Sequence, residues 1–113
     1  MKTQLRKGAL EMCVLALLEG GDSYVYALVG RLARCMDISE GTVYPLMRRL
    51  QADALVATYL LESTSGPARR YYALTGAGRL ALVQMKREWI EFVDEINRAL
   101  RPDDAVEREG DAI

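Results

Sequence analysis

The chain has 113 residues, half of them apolar and 27% charged, which suits one globular domain with a single modest core and excludes a disordered chain. Histidine is absent, which removes most metal sites, catalytic triads and imidazole acid-base chemistry. The net charge of −1 hides an asymmetry: residues 1–87 carry twelve Lys/Arg against seven Asp/Glu, and residues 88–113 carry three against nine.

None of Ser23, Ser39, Ser63 and Ser65 has a context that activates a nucleophile, and the glycines at 20, 21, 41, 66, 76 and 78 sit at element ends, not in a phosphate cradle. No enzyme activity, cofactor or metal is therefore expected. Met12 to Leu18, the longest apolar run, is too short to cross a bilayer, and the start MKTQLRKGALEM lacks a signal peptide's apolar stretch and cleavage site. A cytoplasmic protein with no membrane partner is expected. Cys13 and Cys35 sit in helical patterns among apolar neighbours and read as buried reduced thiols, with a redox switch as the alternative.

Leu5 to Leu18 reads as a first helix. Leu5, Ala9, Met12, Cys13 and Ala16 lie on one face and Leu10, Val14, Leu17 and Leu18 on another, so both sides need cover. Gly20-Gly21 ends it. Asp22 or Ser23 is the expected cap of a second helix carrying Tyr26, Leu28, Val29 and Leu32. A connection over Asp37 to Gly41 follows, and Ser39 is the expected N-cap of a third helix running to about Asp53. There Val43, Leu46, Met47 and Leu50 fall at i, i+3, i+4 and i+7.

From Leu55 the period changes. LVATYLLE reads as a strand, STSGPA as a turn of roughly six residues with Gly66-Pro67 in it, and RRYYAL as the returning strand of a hairpin. Consecutive strand residues face opposite ways, so one of Tyr71 and Tyr72 packs on the core and the other outward, and only one of Arg69 and Arg70 is expected to make a direct contact with a bound partner. Thr75 is expected to cap a long helix with Leu82, Met85, Trp89, Phe92, Ile96 and Ala99 spaced 3, 4, 3, 4, 3. Pro102 stops it, and an acidic tail follows over residues 102–113, where disorder is expected.

Three short helices and a hairpin give a mainly α fold with a β-hairpin, in the order of a winged helix-turn-helix: a domain over residues 1–74, then a long C-terminal helix over 75–101. With its core face turned inward, the third helix leaves Gly41, Thr42, Tyr44, Pro45, Arg48 and Arg49 outside. Gly41, Tyr44, Pro45 and Arg48 again follow i, i+3, i+4, i+7 and form one stripe. Proline costs about 3 kcal/mol in a helix interior and far less in the first turn, so Pro45 is expected in the first turn or just beyond it. Such a helix suits DNA, with Ser39 and Thr42 near phosphates and the arginines flanking.

The stretches ISEGTVYPLMRRLQADALV and GPARRYYALTGAG resemble the PadR family of bacterial transcriptional regulators, with its tyrosine-proline third helix and its basic, double-aromatic wing before a threonine-glycine helix start. The single C-terminal helix resembles the smaller subfamily, which includes multidrug-sensing repressors. The resemblance implies a homodimeric repressor on a palindromic double-stranded operator, released by a small molecule. It matches the DNA-reading helix to Ser39, Thr42, Tyr44, Pro45 and Arg48, and the basic wing to Arg69 and Arg70. The chain departs from the family in Tyr24-Val25-Tyr26, where His-Gly-Tyr is frequent, and in Ala54, where a glycine usually ends the third helix and a looser turn is therefore expected.

The C-terminal helix has a wider apolar face than a short winged domain covers. Dimerisation through Leu5, Leu82, Met85, Trp89, Phe92, Val93, Ile96 and Leu100 is expected, against the first and last helices of the partner. Trp89 is either a plain interface anchor or, with Phe92, Met12 and Ala9, the lining of a slot for a flat aromatic or cationic effector. A winged domain devoted to protein contacts alone is the competing reading, and it would not need Arg48, Arg49, Arg69 and Arg70 on a common side.

Overall fold

The computed structural model describes residues 2–101, with side chains from Gly8 onward; the acidic tail assigned to 102–113 and the side chain of Leu5 lie outside the described residues. The elements are α1 (Lys2–Glu19), α2 (Val25–Ala33), α3 (Glu40–Ala52), β1 (Val56–Ser63), β2 (Gly66–Leu74) and α4 (Gly76–Ala99). The mainly α order with one antiparallel hairpin is the expected one.

Two compact units divide the chain, Met1–Val83 and Gln84–Ile113. The first includes the opening two turns of α4, where Gly78 and Leu82 are buried, so it runs past residue 74. Its core joins Leu10, Val14, Leu15 and Leu18 of α1, Val25, Leu28 and Leu32 of α2, Val43, Leu46, Met47 and Leu50 of α3, and Val56 and Tyr72 of the hairpin. Leu15, fully buried, belongs to neither face read from the sequence. The opposite side of α1 is half-covered, with Ala9, Met12, Cys13 and Ala16 all at intermediate exposure. In α2 the buried set is Val25, Leu28 and Leu32, and this rotation turns Tyr26 out to 72% exposure.

Neither Asp22 nor Ser23 caps α2. Tyr24, itself extended, holds the N-cap position without a side-chain bond, because the backbone of Ser23 is committed elsewhere. Its N–H donates to the Tyr72 carbonyl at 3.1 Å and its carbonyl accepts from the Tyr72 N–H at 2.8 Å. Ser23 thus adds a one-residue third strand on the side of β2 away from β1.

The hairpin connection is shorter than six residues. Only Thr64 and Ser65 lie between the strands, and Ser63 pairs with Gly66. From Leu61 opposite Arg69 to Ser63 opposite Gly66, β1 advances two residues and β2 three, so Pro67 and Ala68 form a bulge. A bulge tolerates proline, which has no N–H for the ladder. Gly66-Pro67 therefore begins β2 and does not make the turn.

The end of α3 corrects another expectation. Ala54 adopts φ 58, the left-handed conformation usually left to glycine. Leu55 N–H donates to the Leu50 carbonyl and Ala54 N–H to that of Gln51, both at 3.0 Å, so the turn is as tight as a glycine would make it. On this turn sits the start of α4. Thr75 caps α4 as expected, its hydroxyl oxygen accepting from Gly78 N–H at 2.9 Å while its hydroxyl donates to the Ala54 carbonyl at 2.7 Å. Thr75 N–H donates to the Leu55 carbonyl at 3.1 Å.

Candidate nucleic-acid interface

The four apolar residues of α3 at i, i+3, i+4 and i+7 are all buried, and Leu46, at 5%, is the most accessible of them. Burial on that side fixes what remains outside: Ser39, Gly41, Thr42, Tyr44, Pro45, Arg48 and Arg49 are all exposed. Tyr44 is 47% exposed despite its ring. Ser39 holds the N-cap position but makes no capping bond, and its hydroxyl lies 3.5 Å from that of Thr42. Two hydroxyls are thus presented together at the positive end of α3, whose first-turn N–H groups point the same way.

Pro45 is the sixth residue of α3, in its second turn. It has no N–H to give to the carbonyl of Gly41, itself an exposed residue. Arg48 continues the stripe, whereas Arg49 turns toward α1, its Nη2 3.7 Å from Glu11 Oε2. The adjacent arginines therefore separate into one on the stripe and one in a partly exposed ion pair.

The wing arginines separate in the same manner. Val56, Thr58 and Leu60 of β1 pair with Leu74, Tyr72 and Arg70 of β2 and share its core-facing side. Tyr72 is buried there at 6%, and Arg70 extends past the core on that side, its Nη1 donating to Thr58 Oγ1 at 3.3 Å. Arg69 and Tyr71 face the other way. Tyr71 stacks on Tyr59 with centroids 5.7 Å apart and 17° between planes, and meets Tyr24 edge-on at 5.3 Å. The Arg69 guanidinium lies 4.7 Å over the Tyr24 ring. One tyrosine packs inward and one outward, as alternation requires. The cluster around Tyr59 was not legible in the sequence, because it depends on the register that sets Tyr59 opposite Tyr71.

Along α4 the expected stripe splits. Leu82 is fully buried in its own chain, so it has no surface left for a partner and is withdrawn from the interface set. Met85 and Val93 are half-buried, whereas Trp89 (42%), Phe92 (53%), Ile96 (41%) and Leu100 (72%) are exposed. Ala9 and Met12 belong to the first compact unit and Trp89 and Phe92 to the second. Gln84 and Glu88 bond at 3.0 Å and Arg98 pairs with Asp94 at 3.2 Å along the polar face of α4.

A helix-turn-helix with an exposed polar stripe on its second member, followed by a two-stranded wing, defines a winged-helix protein. The chain belongs to the PadR-like family of transcriptional regulators, whose family model matches residues 14–84. It is accordingly a regulator of transcription and not an enzyme. It is 41% identical over 59 residues to the transcriptional regulator Rv3488 of Mycobacterium tuberculosis, covering 52% of this chain and 54% of that protein. A PadR family transcriptional regulator from Eggerthella lenta superposes with a TM-score of 0.80 at 37% identity, covering 88% of each chain. Bacillus subtilis PadR, in a complex with operator DNA, shares the fold at a TM-score of 0.61 and 19% identity, over 73% of this chain and 45% of that one. No helix among the described residues is long and apolar enough to cross a membrane.

Proposed function

We propose that this chain is a homodimeric, sequence-specific DNA-binding repressor working in the cytoplasm, where its operator is. The observation that carries the reading is the α3 stripe, where every core-spaced residue is buried and every stripe residue is exposed. Ser39, Gly41, Thr42, Tyr44 and Pro45 form its small, polar front, which enters the major groove of a palindromic operator. Arg48 follows behind them, and Arg70 of the wing contacts the sugar-phosphate edge. Arg49 and Arg69 contribute charge from their ion pair and ring contact. A protein with the same fold in complex with operator DNA supports DNA as the partner.

Dimerisation rests on the exposed apolar face of α4. Trp89, Phe92, Ile96 and Leu100, flanked by Met85 and Val93, are large side chains, each worth about 1.5–3 kcal/mol when fully buried. A second copy of the same face covers them about a two-fold axis. The two Trp89 rings then form the slot for a flat aromatic or cationic effector, which the acidic side chains Glu88, Glu91, Asp94 and Glu95 favour. An effector that prefers a spacing of the two α3 helices other than about 34–36 Å releases the operator.

The test is fluorescence anisotropy with the DNA upstream of the protein's own gene at two salt concentrations. Four phosphate contacts, from Arg48 and Arg70 on two protomers, give a slope near −3.6 on a log-log plot. Affinity then falls by about fiftyfold for a threefold rise in salt. Arg70→Ala should weaken binding more than Arg69→Ala. A flat salt dependence, or no loss from Arg70→Ala, would refute the assignment.

A further inference from the structure

Beyond Tyr72 the hairpin leaves the core. Leu60, Leu61, Arg69 and Arg70 are all exposed, so burial does not fix the angle at which the wing stands. What meets the wing there is a chain of side chains on its outer side. Tyr59 Oη donates to Asp22 Oδ2 at 2.8 Å. The Tyr59 ring stacks on Tyr71, Tyr71 meets Tyr24, and Arg69 covers Tyr24 from above. Both strands of the wing are thereby tied to the connection between α1 and α2, next to the two backbone bonds of Ser23 with Tyr72.

We propose that Asp22, Tyr24, Tyr59, Tyr71 and Arg69 form a latch that positions the wing relative to the helix-turn-helix, so that Arg70 is presented to DNA at one fixed place. The inference rests on the DNA-binding reading for its consequence, but the latch itself exists without DNA. Its members are positioning residues: Arg69 acts through Tyr24 and not through a phosphate. Two observations separate this from ordinary core packing. Tyr59 is 42% exposed, so its removal does not open the core. Its hydroxyl meets a carboxylate, a bond stronger than a neutral pair makes, and this bond pushes the Tyr59 phenol above its usual pKa.

Tyr59→Phe keeps the ring stack and removes only the bond to Asp22. Without DNA, hydrogen exchange in this variant should quicken at Leu60–Ser63 and Gly21–Ser23 and stay unchanged in α3, with the thermal midpoint preserved. With DNA, the guanines read by α3 should stay protected from methylation, while hydroxyl-radical protection by the wing is lost and affinity weakens on the order of fivefold. Asp22→Ala should match it, the double variant should be no worse than either single one, and Asp22→Asn, which keeps an acceptor, should restore protection. Unchanged exchange at the wing overturns the latch. So does a uniform loss of protection across the operator, which is the mark of general destabilisation. Quickened exchange in a protein whose wild type binds no DNA supports the latch and overturns the DNA-binding reading alone.

Discussion

Gly78 is the third residue of α4, in the turn that rests on the end of α3. A methyl group there would overlap the Leu55 carbonyl oxygen and lie 2.6 Å from Leu74 Cδ1 and 3.1 Å from the Leu55 carbonyl carbon. The first and last of these neighbours are backbone atoms, held by the Leu55 N–H bond to Leu50 and the Thr75 N–H bond to Leu55. No rotamer change relieves them. Gly78→Ala must therefore lift the first turn of α4 away from the turn after α3. Overpacking of this kind costs roughly 1–3 kcal/mol, and losing the Thr75 N–H bond adds about 1 kcal/mol. Against this stands the gain from alanine in a helix, about 1 kcal/mol. The net loss of about 1–3 kcal/mol lowers the thermal midpoint by roughly 4–24 °C in a domain of this size. The assay is far-ultraviolet circular dichroism against temperature at fixed protein concentration, with Gly30→Ala as the control. Gly30 lies inside α2 with nothing within 4 Å of the added carbon, so its substitution should raise the midpoint. A midpoint for Gly78→Ala at or above the wild type would refute the argument.

Three further outcomes follow from the same reasoning. Ala54→Gly relieves a left-handed alanine and should stabilise the fold by about 0.5–1 kcal/mol after the entropy of glycine is subtracted, read as a higher denaturation midpoint. Burial first, and the neighbouring Cys35 second, push the Cys13 thiol above its usual pKa, so at pH 8 it carries less thiolate. Exposed Cys35 should therefore react with iodoacetamide before Cys13, as peptide mass spectrometry after short labelling will show. Ile96→Asp places a charge on the exposed apolar face of α4 and should turn the proposed dimer into a monomer in sedimentation velocity, with helix content retained.

What the sequence made legible was whatever depends on one element's own periodicity. The α3 face was readable because Val43, Leu46, Met47 and Leu50 repeat with the helix and burial follows the repeat. Thr75 was readable as a cap because its hydroxyl needs only the N–H three residues on. What depends on a neighbour was not. Ser23 looked like a cap until β2 claimed its backbone, and the fates of Arg49, Arg69 and Arg70 turned on Glu11, Tyr24 and Thr58, which lie on other elements. The hairpin turn was overestimated because Gly-Pro reads as a turn wherever it falls, while the bulge that accommodates it appears only in the pairing. At Ala54 the substituted side chain argued for a looser turn, but two carbonyl acceptors and the docking of Thr75 outweigh the modest strain of a left-handed alanine.

The bridge between Ser23 and Tyr72 also bears on solubility. A two-stranded ribbon alone exposes two rows of unpaired amides and carbonyls, each a template for another chain. Ser23 caps one of these rows at Tyr72, where β2 enters the core, and the Pro67 bulge interrupts the same row nearer the tip. Strand-on-strand aggregation is thereby steered to the outer margin of β1, where Glu62 stands beside Leu60 and Leu61 as a charged gatekeeper.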